Sequence, residues 1–376
     1  MLLFEDTRPY NDSEMPSAIA RVAANPFFDT IIAYLFPEQN CQEFKKQFLT
    51  IKTVKEFQEK VMFKAIGSIL DKTCTDFQFS GFDQLSTRQN YMFIANHRDI
   101  MLDAALLQVI LWKHHLDTSE ITFGSNLMQG ELVIDLGKMN KMFRIVRGGT
   151  IHDFYKNSLE VSSYMRYAIC DKKQSVWIAQ RNGRTKDGND RTEVAVLKMF
   201  SISSNDDFSD NLGKLNITPI ATSYEYEPCA FLKTQELYIS QYQKYIKETN
   251  EDLRSILQGI QEPKGGICIC ATPTISIEEL DACGRLDKNE RFAQLANIID
   301  QRIFSRYKLW KNNYIAFDMV ENTNRFSSRY TDEDKKVFES YMNQGLNSLI
   351  GEEDELRNLF LNIYANPVRN IEFREK

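Results

Sequence analysis

The chain has 376 residues. That is enough to bury a sizeable core without disulfide or metal staples, and it fits two domains or one large one. Apolar residues make up 43% and charged residues 26%, which excludes a disordered, collagenous or disulfide-framework protein. The 46 Lys and Arg stand against 52 Asp and Glu, a net charge of -6, which argues against a general nucleic-acid binder.

In chain order, residues 1–75 read as an N-terminal helical region. The start, MLLFEDTRPYNDSE, turns acidic at once and shows no secretory signal pattern. Pro26–Phe36 forms an apolar helical segment. Thr53 with Glu56 reads as a capping box that opens one helix running to Cys74, with Val54, Phe57, Val61, Ile66, Ile69 and Leu70 on one face.

From residue 76 to 285 short strands alternate with helices. The predicted strands are Asp76–Phe79, Tyr91–Ala95, Ile121–Phe123, Phe143–Val146, Ser175–Ala179, Ile217–Ser223 and Gly266–Ala271. The predicted helices between them include Leu102–Lys113, Asp153–Cys170 and Glu193–Met199. Residues 286–376 are helical again. Asp287 with Glu290 is expected to cap a helix reaching past Tyr307, and Thr331 with Asp334 another that stops before Gly351. This order predicts an α/β fold with a largely parallel central sheet flanked by helices, helical N- and C-terminal additions, and a single structural unit. The longest apolar run, Ala104–Trp112, is broken by Gln108, and a bilayer span needs about 20 apolar residues, so no crossing is expected.

Seven cysteines are scattered without a CxxC pair, the usage of reduced thiols in a cytoplasmic protein. Cys268 and Cys270 share one face of a predicted strand. With no further Cys or His near them in sequence, they read as packed thiols rather than metal ligands. The four histidines are His97, His114, His115 and His152. His114 and His115 close a helix, where cations suit the dipole, and His152 lies beside an expected N-cap, Asp153.

His97 differs from these. The apolar strand Tyr91–Ala95 leads into Asn96 and His97, and Asp103 opens the helix that follows. Ligands in open α/β sheets collect outside the carboxyl ends of strands. An imidazole there can take a proton, and a carboxylate can hold its tautomer. Asp103 would supply that carboxylate, with Asp99 a competitor. The plainer reading makes Asp103 a helix cap and His97 a satisfied loop residue.

Asn96-His97-Arg98…Asp103…Leu106-Leu107 resembles the first motif of the glycerolipid acyltransferases, the glycerol-3-phosphate and 1-acylglycerol-3-phosphate acyltransferases. Three further blocks follow in that family's order. Lys141-Met-Phe-Arg-Ile-Val-Arg147-Gly resembles the second. Trp177-Ile-Ala-Gln-Arg-Asn-Gly183-Arg184-Thr185-Lys-Asp-Gly188 resembles the third, and Ile217-Thr-Pro219 running to Tyr224-Glu225 resembles the fourth. Together they span roughly residues 90–230. Two features depart from the pattern. Five residues rather than four separate His97 from Asp103, and Arg181 or Asn182 stands where the family has a Glu.

The resemblance implies a cytoplasmic acyltransferase of phospholipid biosynthesis, peripheral on the inner face of a membrane. It would move a fatty acyl group from a thioester to a hydroxyl of glycerol 3-phosphate or a lysophospholipid. His97 would be the general base and Asp103 its partner; Arg147 and Arg184 would bind the acceptor phosphate, with Gly183 shaping the loop. Arg144, Arg181 and Lys186 would add positive field. No cofactor or metal is implied, because acyl-coenzyme A or acyl carrier protein enters as substrate. Pro26–Phe36 or the helices after Thr53 would face the membrane. Two other readings fit the departures: acylation of a hydroxylated lipid built on an amino acid, and a non-catalytic lipid-binding relative.

Overall fold

The computed structural model describes residues 4–128, 130–146 and 150–373. Among these residues seven strands form one sheet: β1 Cys74–Ser80, β2 Met92–Ala95, β3 Glu120–Gly124, β4 Met142–Ile145, β5 Val176–Ala179, β6 Ile217–Tyr224 and β7 Gly265–Ala271. Their order is β1-β7-β6-β2-β5-β3-β4. All seven lie where the apolar runs predicted strands, within two residues at each end.

The pairs β6–β2, β2–β5, β5–β3 and β3–β4 are parallel, as is β1–β7, and only β7–β6 is antiparallel. The fold is therefore α/β with a largely parallel sheet, as expected. β2, β6 and β7 are buried along their whole length, which is why their sequences run apolar rather than alternating.

Before the sheet come α1 Met15–Ala24, α2 Phe28–Leu35, α3 Cys41–Phe48, α4 Val54–Phe57 and, after a π-helical stretch at Gln58–Met62, α5 Phe63–Thr73. Within the sheet region lie α6 Leu102–Lys113, α7 Glu131–Met139, α8 Ile151–Cys170, α9 Val194–Ser201, α10 Phe208–Gly213, α11 Ala230–Tyr242 and α12 Glu251–Gln261. After it come α13 Ile277–Gly284, α14 Glu290–Arg306, α15 Lys311–Val320, α16 Asp332–Leu346 and α17 Glu353–Glu372.

One sheet face buries Met92, Ile94 and Ile178 against α8, α9 and α14. The other buries Phe93, Ala95 and Trp177 against α5 and α6. The N-terminal helices gather a core of their own around Phe28, Phe44, Phe48 and Phe57. Among the described residues, no helix is long and apolar enough to cross a membrane.

Four local expectations are corrected. The helix after Thr53 is interrupted at Gln58–Met62, where a wider turn carries the Gln58 amide inward to Asn140 and Thr118. Thr53 does accept the Glu56 amide, but the Glu56 carboxylate reaches Lys52 instead of completing the box. The cap of α8 is Thr150, with Asp153 the third helical residue of a capping box. Helix α14 has no side-chain cap and stops at Arg306, because Tyr307 turns out to lie under the Arg98 guanidinium. In the Pro26–Phe36 segment, Phe28, Ile32 and Phe36 are buried in the N-terminal core, leaving Phe27 and Tyr34 outside. The Thr331–Asp334 box caps α16 as expected.

Gly188 holds the sheet region to α17. Its φ is +77°, and a Cβ there would collide with the Ile363 carbonyl. Gly188→Ala is expected to cost at least about 1–3 kcal/mol, from strain before the clash is counted. Urea unfolding checks this, and an unchanged midpoint would remove the packing argument.

Candidate active site

The carboxyl ends of β2, β5 and β6 meet at one edge of the parallel block. Asn96, one residue past β2, is fully buried. Its amide donates to the Thr222 carbonyl (2.8 Å) and to Asp190 (3.0 Å), and it accepts the Thr222 N–H (2.7 Å). The strand end is thus pinned to β6, and His97 leaves it in a fixed direction. The His97 ring packs edge-on against Trp177 of β5, with 5.5 Å between ring centres.

His97 Nδ1 lies 2.9 Å from Asp103 Oδ2, and the imidazole keeps 13% of its surface open. The same Oδ2 accepts the backbone N–H of Arg98 (2.6 Å) and of Asp99 (3.0 Å), while Tyr224 donates its hydroxyl to Oδ1 (2.7 Å). The long loop therefore wraps its amides around the carboxylate instead of pushing it away from His97. Burial pushes the Asp103 carboxyl up, but the hydrogen bond and charge of His97, with the bonds from Tyr224 and Arg98, outweigh it and hold it below its ordinary value. Burial, and then the charge of Asp103, raise the Tyr224 phenol well above normal, so it stays a donor.

Asp99 has a different place. Its Oδ1 accepts the Met101 and Leu102 amides (2.9 and 2.7 Å) and so holds the first turn of α6. Its Oδ2 is buried without a partner and packs against Gly259 of α12, where a Cβ would displace it. Asp103, not Asp99, meets the imidazole.

Arg98 is the hub beneath the site. It is 1% exposed, bonds Asp190 through Nη2 (2.5 Å) and Nε (3.1 Å), and reaches Glu227 through Nη1 (3.0 Å). Lys233 pairs with Glu227 and donates to the Arg98 carbonyl (2.8 Å). Burial works against the Arg98 charge, but the two carboxylates prevail and keep it protonated.

The third block lies against this loop. The Thr185 amide donates to the His97 carbonyl (2.8 Å), and its hydroxyl to Asp190 (2.5 Å). Gly183, at φ +82°, supplies the left-handed turn just before Arg184, with open space where a Cβ would stand. Arg184 is 8% exposed, and its Nη1 is buried without a hydrogen-bond partner. Of the seven such buried unpartnered side-chain atoms among the described residues, three lie in this block (on Gln180, Arg181 and Arg184), a fourth is on Asn189 just after it, and a fifth is Asp99 Oδ2. Buried polar atoms normally find partners. Their concentration here leaves this loop with unmet hydrogen-bonding capacity.

The other basic candidates separate. Lys186 pairs with Glu236, and burial, then the charge of Arg184, pull it down to about 8. Arg181 is half-buried and Arg144 is exposed on β4. Arg147 lies outside the described residues. Asn182 is exposed, and its amide donates to Glu193 Oε2 (3.1 Å), so a carboxylate reaches the block from eleven residues on.

Sequence reasoning gave Tyr224 no role beyond the fourth block and passed over Asp190, Glu227 and Lys233. The Tyr-Glu block was the only signal for Tyr224. Nothing local marks the other three, whose partner in Arg98 lies 92 to 135 residues away.

No protein-family model matches the chain, and no curated protein matches it. Among solved structures it is similar to the 1-acyl-sn-glycerophosphate (LPA) acyltransferase PlsC from Thermotoga maritima, at 10% sequence identity and a TM-score of 0.39, with 78% of this chain and 96% of that chain covered.

Proposed function

We propose that the chain is an O-acyltransferase that moves a fatty acyl group from a thioester to a hydroxyl of a phosphorylated glycerol or lysophospholipid. One observation carries the reading: a His97–Asp103 pair at a strand end, tied through the Thr185 amide to the loop that bears Arg184 and its buried, unsatisfied donor. The order of the four sequence blocks supports it.

Asp103 is an ionised acceptor that already takes two backbone amides and a phenol, so the shared proton sits on His97 Nδ1. That leaves the Nε2 lone pair for the acceptor hydroxyl. As the oxygen attacks the thioester carbonyl, its proton passes to Nε2, and Asp103 stabilises the imidazolium. The tetrahedral intermediate then collapses, the carbon–sulfur bond breaks, and the thiolate leaves with the proton from Nε2. A Ser or Cys nucleophile is not required.

Arg184 would take the acceptor phosphate, for which a planar, permanently charged guanidinium is suited. Arg184→Met is expected to raise KM for the phosphorylated acceptor by roughly 10–100-fold, the worth of a charge-assisted hydrogen bond. The unfolding midpoint should hold or rise, because a buried unsatisfied donor is removed. A lower midpoint with unchanged KM would make Arg184 structural. Lysophosphatidate, glycerol 3-phosphate and a hydroxylated amino-acid lipid, each with acyl-coenzyme A or acyl carrier protein, resolve acceptor and donor in one assay.

A lipid product requires contact with a bilayer. Tyr242 at the end of α11, Ile246 in the loop after it, and Leu253 and Leu257 along α12 are exposed. Helix α12 reaches the site through Gly259 against Asp99, and Asp252 accepts from Asn126 just past β3 (2.8 Å). These residues, rather than Pro26–Phe36, would touch the membrane. Leu253→Ser with Leu257→Ser should reduce co-flotation with phospholipid vesicles without changing turnover of a soluble short-chain thioester. Undiminished flotation would place docking elsewhere.

A further inference from the structure

Cys268 and Cys270 both project from β7 toward the face that carries α14, whereas His97 shares the opposite face with Trp177, and β7 runs against the direction of the block that bears the site. Their Sγ atoms are 3.6 Å apart. Across the ladder stands the edge strand β1, with Gln78 opposite Cys268 and Ser80 opposite Cys270. The Ser80 hydroxyl lies 3.2 Å from Cys270 Sγ. Asp76, Gln78 and Ser80 are exposed, so this corner of the face is open at the sheet edge, although each thiol is largely covered.

We propose that Cys268 and Cys270 form a two-thiolate clamp for a thiophilic divalent cation of the zinc–cadmium class, with the Ser80 oxygen at its rim. A tetrahedral ion with bonds of about 2.3 Å to sulfur holds two thiolates about 3.8 Å apart, close to the spacing found. Soft sulfur donors select such ions over magnesium or calcium.

Lys308 at this corner is engaged by Gln78 (2.8 Å) and Asp76 (3.8 Å). Among the described residues no three His, Cys, Asp or Glu side chains gather, so the remaining positions fall to Ser80 and solvent. An ion held this way would be exchangeable rather than a folding staple.

The test uses the full chain, reduced, with cadmium chloride as the probe. About one equivalent of cadmium should give the ultraviolet sulfur-to-cadmium charge-transfer band. It should also slow N-ethylmaleimide labelling of Cys268 and Cys270, read by peptide mass spectrometry, on the order of tenfold, because coordination occupies the reactive thiolate. Cys268→Ala with Cys270→Ala should abolish the band, while Cys41→Ala and Cys283→Ala should keep it. Labelling of the unmutated chain decides the matter if the double variant folds poorly. Unslowed labelling of the pair, or a band that survives the double substitution, overturns the clamp. His97→Ala should bind cadmium as the wild type does, so this result stands apart from the acyl-transfer reading.

Discussion

Replacing His97 with alanine is expected to lower kcat/KM for acyl transfer by a factor of about 100 to 10,000, the range a positioned general base supplies. The fold should survive. The imidazole is partly open, and Asp103 keeps two backbone amides and the Tyr224 phenol without it. Asp103→Asn should fall almost as far, since an amide facing Nδ1 can force the wrong tautomer on the ring. Asp99→Asn should stay within several-fold of wild type, because Asn can still accept the Met101 and Leu102 amides. Product formation from radiolabelled acyl thioester, with circular dichroism as the folding control, checks all three. Turnover by His97→Ala equal to wild type would refute the base. An Asp99→Asn loss exceeding that of Asp103→Asn would move the dyad.

The largest effect on stability is expected at Arg98. Arg98→Met leaves Asp190 and Glu227 buried and, among the described residues, with Lys233 the only cation still on Glu227 and none on Asp190. Breaking such a network from one side costs about 3–5 kcal/mol. Adding Asp190→Asn to Arg98→Met should recover part of that loss, because the uncompensated charge is removed. Urea denaturation of the single and double variants measures the coupling. A single variant within about 1 kcal/mol of wild type would mean that water or a shifted side chain satisfies the carboxylates. A double variant less stable than the single would mean that Asp190 acts chiefly as a partner of Asn96 and Thr185.

The contrast between these two sites shows what the sequence could convey. His97 was legible because strand, histidine, carboxylate and apolar helix are contiguous, and local chemistry has local signals. The sheet was legible for the same reason: the central strands are short, apolar and flanked by helical periodicity. The direction of β7 was not. Its own seven residues are apolar on both faces whichever way they run, and the helices α11 and α12 before it look like an ordinary crossover. Arg98 was written in the first block, but its role depends on carboxylates from two distant loops. Asp99 and Asp103 were both within reach of His97 on spacing alone. Only the turn, which points the Arg98 and Asp99 amides at Asp103, decides between them. The π-helical stretch depended on the partners of Gln58, which lie beyond β2 in sequence.

The place of β1 in the sheet has a consequence for how the chain is made. Among the described residues β1 pairs with β7 alone, and Ser80 and Cys270 are 190 residues apart. At about 5–20 residues per second, a ribosome needs roughly 10–40 s between releasing one strand and the other. For that interval a strand bearing Phe77 and Phe79 has no ladder partner, and loop closure over such a distance is slow even after synthesis ends. The nascent chain therefore passes through a stage with an open, aromatic sheet edge, a surface that invites holdase chaperones or self-association before the last neighbour arrives.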